Sequence, residues 1–180
     1  ITPEKAPWLT LNRRQNEVLN EILLSKDSFA PFLLHGVTGS GKTEVYMQAI
    51  NSITSQNKTA IVLVPEISLT PQMVLNFRKK LGEAVAILHS ALAPGERYDE
   101  WKRILSGEAR IVIGARSAVF APLKNIGIII VDEEHESSYV SETYPRYDAI
   151  EVAIKRAKYN NCPVVLGSAT PSVNRYMILI

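Results

Sequence analysis

Gly36-Val37-Thr38-Gly39-Ser40-Gly41-Lys42-Thr43 gathers three of the chain's nine glycines, a lysine and a hydroxyl between an apolar run and a helical one. Backbone amides approach a phosphate closely only where side chains are absent, and a following helix adds its free N–H groups and the positive end of its dipole. The stretch fits G-x-x-x-x-G-K-[ST] without a mismatch, so it reads as a phosphate cradle. In that reading Lys42 reaches the β- and γ-phosphates of a nucleoside triphosphate and the Thr43 hydroxyl ligates magnesium.

Such a site needs a carboxylate at the end of a neighbouring strand to hold the metal. "IGIIIVDEEH" supplies one, with an apolar run passing into Asp132 and Glu133. Two adjacent acids after a buried strand are electrostatically awkward without a cation. Asp132 is therefore assigned to magnesium, directly or through water, and Glu133 to activation of the attacking water. "LNRRQNEVL" allows two roles for Gln15. Its amide matches the donor and acceptor on the edge of adenine, and it also completes a capping box with Asn12 at a helix start.

The elements that must position these groups alternate. Six apolar runs read as strands: Phe32–His35, Ala60–Val64, Val85–Leu88, Arg110–Ile113, Gly127–Val131 and Val164–Leu166. Their near-continuous Val, Ile and Leu content points to burial on both faces. Helical stripes lie between them, as at Met73, Val74, Phe77 and Leu81, or Tyr98, Trp101, Ile104 and Leu105, the latter stopped by Ser106-Gly107. The alternation predicts an α/β fold, a mainly parallel sheet with helices on both faces, and ligands beyond the carboxyl ends of the strands.

The chain has 180 residues, long enough for one buried domain, with a linker expected over residues 1–11 and the domain over 12–180. Hydrophobic residues are 46% and charged residues 21%, which argues against disorder and fibrous classes. The longest apolar run, Ile126 to Val131, is far short of the roughly 20 residues of a membrane-spanning helix. These features predict a soluble, cytoplasmic protein with no membrane partner, and a monomer. Cys162 is the only cysteine, which excludes an internal disulfide and reads as apolar filler before a strand. A net charge of +2 requires any nucleic-acid contact to come from local placement. The clusters Arg13-Arg14, Arg78-Lys79-Lys80 and Lys155-Arg156 read more readily as solvated helix faces than as a binding patch. The first residue is Ile1, which suggests a piece of something longer.

The phosphate loop, "DEEH" at Asp132–His135 and "GSAT" at Gly167–Thr170 together resemble the first motor lobe of superfamily-two helicases. "PEISLTPQM" from Pro65, "GARSAVFAPL" from Gly114 and "GSATPS" from Gly167 narrow the resemblance to the PriA-type primosomal replication-restart DNA helicases. It covers the chain from Leu11 to about Ser172. It implies a three-layer RecA-like P-loop NTPase lobe that uses ATP and magnesium and works against a second lobe, moving 3′-to-5′ on single-stranded DNA. It also implies DNA-binding domains ahead of the motor, a zinc-binding insertion beyond it, and as partners forked DNA, primosome proteins and single-strand-binding proteins.

Carried onto these residues, the resemblance assigns Pro65, Arg116 and Ser117 to the DNA track. Ser168 and Thr170 fall in the segment that links hydrolysis to lobe movement; a strand end with a helix cap is the plainer reading. In "ESSYVSETYPRYDA" the tyrosines Tyr139, Tyr144 and Tyr147 beside Arg146 suit stacking on bases, and resemble an aromatic-rich loop coupling DNA to hydrolysis. Where the family commonly has a histidine and then an arginine, this chain has Asp148 and Ile150. Asp148 reads as a helix cap and Tyr147 as the better contact. A double-stranded DNA translocase remains an alternative. In isolation the lobe is expected to be a nucleotide- and DNA-binding module nearly without turnover, because the family's arginine finger belongs to the second lobe.

Overall fold

A strand with no polar face must be covered on both sides. In the computed structural model, which describes residues 4–36, 41–169 and 177–179, the apolar runs become strands of one sheet. They are β1 (Ala30–His35), β2 (Thr59–Leu63), β3 (Val85–Leu88), β4 (Ile111–Gly114), β5 (Ile126–Val131), β6 (Pro163–Ser168) and β7 (Met177–Leu179). The order is β3-β4-β2-β5-β6-β1-β7, and every pairing is parallel. The seventh strand extends the six read from the sequence; at three residues it is too short for its pattern to stand out.

Alternation along each strand divides the core in two. Ile128 and Ile130 pack toward α1 (Arg13–Leu24), α2 (Lys42–Thr54) and α3 (Pro71–Leu81), while Ile129 and Val131 pack toward α4 (Pro94–Ser106) and α5 (Ala149–Tyr159). The result is helix, sheet and helix in three layers. Gly127 is a glycine for space, since a Cβ there would lie 2.5 Å from Ile53 of α2. Cys162 is fully buried immediately before β6, as its filler role requires. Among the described residues no helix is long and apolar enough to cross a membrane.

Of the α4 stripe only Ile104 is buried; Tyr98, Trp101 and Leu105 are exposed, so that face of α4 is not core. Two basic clusters are not simple solvated faces. Lys80 is buried beside Glu44 at 3.7 Å, and Arg156 donates to the carbonyls of Val119 and Ala121 at 2.7 and 2.9 Å. The segment read as an incoming linker is seated: the Ala6 N–H donates to Lys79 O, Lys80 donates to Pro7 O, and the Leu9 N–H donates to Glu44 at 2.8 Å. Buried carbonyls and charges need partners, and this segment and the Glu44–Lys80 pair supply them to each other.

Candidate nucleotide site and DNA-facing groove

Parallel strands deliver their carboxyl ends to one edge, so the residues that follow the strands gather along one rim of the sheet. At the end of β1, the Gly36 N–H donates to Ser168 O at 3.1 Å, tying the start of the phosphate loop to β6. Val37, Thr38, Gly39 and Ser40 lie outside the described residues. Gly41 precedes α2 at φ 82°, in the left-handed region that favours glycine. Lys42 is buried and its Nζ donates to Gly36 O at 2.6 Å, so the ammonium already points back across the loop mouth. Thr43 stands exposed in the first turn of α2.

Asp132 is not on a neighbouring strand, as the sequence reading had it: β6 runs between β1 and β5. Strands are spaced by about 4.8 Å, so the two ends are roughly 10 Å apart and long side chains must close the gap. Lys42 and Tyr46, one turn apart on α2, do so. The Tyr46 hydroxyl donates to Asp132 Oδ1 at 3.0 Å, and Lys42 lies close enough to favour the ionised carboxylate. Burial outweighs both and holds the Asp132 carboxyl above its ordinary range. Burial against that acid likewise drives the Tyr46 hydroxyl well above the usual phenol range, so it stays a donor.

The backbone around the acids is tightly determined. The Asp132 N–H donates to Leu63 O of β2, and the Glu134 N–H to Gly167 O of β6, each at 2.9 Å. Between them Glu133 adopts φ 51°, a conformation that costs a non-glycine residue about 1–3 kcal/mol and persists where the surroundings impose it. The His135 ring contacts Glu133 at 3.5 Å through Nε2 and Ser168 Oγ at 3.3 Å through Nδ1, which joins "DEEH" to "GSAT". Thr170 lies outside the described residues.

The Thr43 hydroxyl and the Asp132 carboxylate are hard oxygen donors on one edge, the chemistry that magnesium takes. Among the described residues no group of three or more His, Cys, Asp or Glu side chains is gathered for a metal.

Gln15 caps α1 without leaving the site. Its Oε1 accepts the Asn12 N–H at 2.8 Å and its N–H donates to Asn12 Oδ1 at 2.9 Å, completing the capping box. Its Nε2 meanwhile sits where a Cβ on Gly41 would be 2.2 Å away. The cap thus parks the amide against the last glycine of the phosphate loop.

A second depression, of about 500 Å³, opens at the ends of β2, β3 and β4, lined in part by Leu88, Arg97, Trp101, Arg116, Ser117 and Phe120. The sequence marks Trp101 only as part of a helical stripe and does not distinguish Phe120, since an aromatic that lines a groove has the same local pattern as one in the core. Pro65 is buried and starts a 3-10 turn over Glu66–Ser68, so it shapes this edge and offers no side chain to a ligand.

Arg116 is held by backbone carbonyls beside an aromatic ring. Its Nη1 donates to the carbonyls of Ser138 and Val140 at 3.1 and 3.2 Å, and its guanidinium lies 5.9 Å from the Tyr147 ring, which packs edge-on to Phe120 at 4.9 Å. Tyr139 cannot stack on bases: it is 1% exposed, and its hydroxyl donates to the Asp132 carbonyl. Arg146 and Tyr144 are exposed and Tyr147 half-buried, so the loop keeps aromatic surface without Tyr139. Asp148 caps α5 by accepting the Ile150 N–H at 2.9 Å.

Helices on both faces of a parallel sheet, with Gly36, Lys42 and Asp132 on one edge, define a RecA-like motor lobe. The family model for DEAD/DEAH box helicases matches residues 12–178, and the chain belongs to that family. It is 58% identical over 173 residues to the replication restart protein PriA of Bacillus subtilis, covering 96% of this chain, and 47% identical over 177 residues to PriA of Synechocystis, covering 98%. The chain spans 21% of the length of each of these relatives. Among solved structures, RecG bound to a three-way DNA junction superimposes with a TM-score of 0.69 at 26% identity, over 92% of this chain and 22% of that one.

Proposed function

We propose that this chain is the ATP-binding first motor lobe of a 3′-to-5′ DNA helicase acting in replication restart and primosome assembly. The observation that carries this reading is the meeting of the phosphate loop and Asp132 through Lys42 and Tyr46 of one helix. The likeness to replication restart proteins supports the task, and the groove beside Arg116 supports a nucleic-acid track. Lys42 exchanges Gly36 O for the β- and γ-phosphates; Thr43 and Asp132 would hold magnesium, which would supply positive charge against the transferring phosphoryl group. Glu133 takes the proton of the attacking water. The transition-state arginine comes from a second lobe, so the isolated lobe binds nucleotide and hardly turns it over. Zinc belongs to parts of the longer protein outside this chain.

Forked and single-stranded DNA, primosome proteins and single-strand-binding proteins are the partners of this reading, and the cytoplasm its location. The test is strand displacement by the full-length protein on forks with a 3′ or a 5′ loading strand, beside a Lys42→Ala variant. Unwinding with 3′-to-5′ polarity that Lys42→Ala abolishes is the expected result. Translocation without strand displacement would point instead to a double-stranded DNA translocase.

A further inference from the structure

We propose that Tyr46 is a positioning residue for the metal-binding carboxylate of Asp132, and that Gly167 is a glycine to let the two meet. The inference rests on the proposed magnesium–nucleotide site and adds to it a residue outside the phosphate motif and the acidic motif.

Tyr46 lies one helical turn beyond Lys42, so both side chains leave α2 on the same face. From that face its ring must cross β6 to reach β5, because β6 separates β5 from β1. The crossing occurs over Gly167. A Cβ built there would stand 1.7 Å from the Tyr46 hydroxyl oxygen and 2.8 Å from Asp132 Oδ1. Glycine within a strand weakens it and marks a close approach, and here the approaching atoms are the two ends of one hydrogen bond. Tyr46 is 2% exposed, so no solvent competes for that bond.

The consequence is orientation. The Asp132 backbone is held on both sides, its N–H by Leu63 O and its carbonyl by the Tyr139 hydroxyl. The carboxylate can still rotate about its side-chain bonds, and Tyr46 restricts that rotation by engaging Oδ1, together with the Glu133 backbone N–H. Partners that orient a metal ligand in this way typically contribute about 10- to 100-fold to metal affinity.

The test uses full-length protein carrying Tyr46→Phe, Gly167→Ala or both. Affinity for a fluorescent MANT-ADP is measured in EDTA and across a magnesium titration, with thermal melting as the folding control. Both single variants should need about 10-fold more magnesium, or beyond, for half-maximal tightening of nucleotide binding. The double variant should be no worse than the worse single one, because both remove one bond. ATPase kcat should recover toward wild type at high magnesium, which a merely structural defect would not do. A folded Tyr46→Phe protein with wild-type magnesium dependence, or additive effects in the double variant, overturns the inference. If wild type gains no affinity from magnesium, or Asp132→Asn retains the gain, the site reading itself fails and the inference with it.

Discussion

The Tyr139 hydroxyl donates to the backbone carbonyl of Asp132, and so joins the loop that carries Tyr144, Arg146 and Tyr147 to the residue that would hold the metal. The link needs only one neutral hydrogen bond, and it makes the acid's position depend on the loop's. Tyr139→Phe should cost the fold about 1 kcal/mol. In full-length protein it should lower DNA-stimulated ATP hydrolysis by a larger factor than DNA-independent hydrolysis. An ATPase assay with and without single-stranded DNA measures that ratio; an unchanged ratio would remove the loop from the coupling path.

Arg116 reaches the same loop from the other side, through the carbonyls of Ser138 and Val140. A phosphate on the track would compete with those carbonyls for the guanidinium, since it brings a full negative charge and can accept two parallel N–H bonds. Arg116→Ala should weaken single-stranded DNA binding and reduce the salt dependence of that binding by about one phosphate contact. Fluorescence anisotropy across a salt series reads both quantities. A salt slope equal to wild type would confine Arg116 to tethering the loop.

Much of this arrangement was legible in the residues. The phosphate loop, the acid after a buried strand and the parallel α/β order all follow from local patterns of period and spacing, and the helix caps at Asn12 and Asp148 follow from side-chain chemistry. What escaped was whatever depends on strands that are distant in sequence. Nothing local shows that β6 separates Asp132 from the phosphate loop, or that Tyr46 must therefore span the gap. Tyr139 has the composition of a stacking residue, and only its burial under the acid's carbonyl removes it from that role. Trp101 reads as core by periodicity because a stripe facing a groove has the same spacing as one facing a sheet.

Asp132 should be a stability cost in the absence of metal, because burial holds its carboxyl above the ordinary range. A carboxyl whose folded-state pKa is raised binds its proton more tightly when folded, so stability falls as pH rises through the interval between the unfolded and folded values. Asp132→Asn should therefore melt higher than wild type at neutral pH in EDTA while losing ATP hydrolysis. The melting difference should shrink as the pH is lowered and wild type takes up its proton. Differential scanning calorimetry across pH tests the sign, and a destabilised Asp132→Asn at neutral pH would refute it.

Glu44 and Lys80, each with a side chain 8% exposed, hold the segment around Pro7 and Leu9 against α2 and α3. Removing one partner of a buried pair leaves an uncompensated charge and typically costs about 3–5 kcal/mol. Lys80→Met should unfold at lower denaturant by a margin of that size. Adding Glu44→Gln should recover a large part of the loss. Urea unfolding of the single and double variants decides the matter, and additive losses would show that the pair is not a unit.

The account stands most directly on one structure determination, that of the protein with magnesium and a non-hydrolysable ATP analogue. It predicts Lys42 Nζ withdrawn from Gly36 O and set on the β- and γ-phosphates, with the metal held between the Thr43 hydroxyl and Asp132. Phosphates seated away from Lys42, or a metal bound without Asp132 while its carboxylate stays with Tyr46 alone, would contradict it.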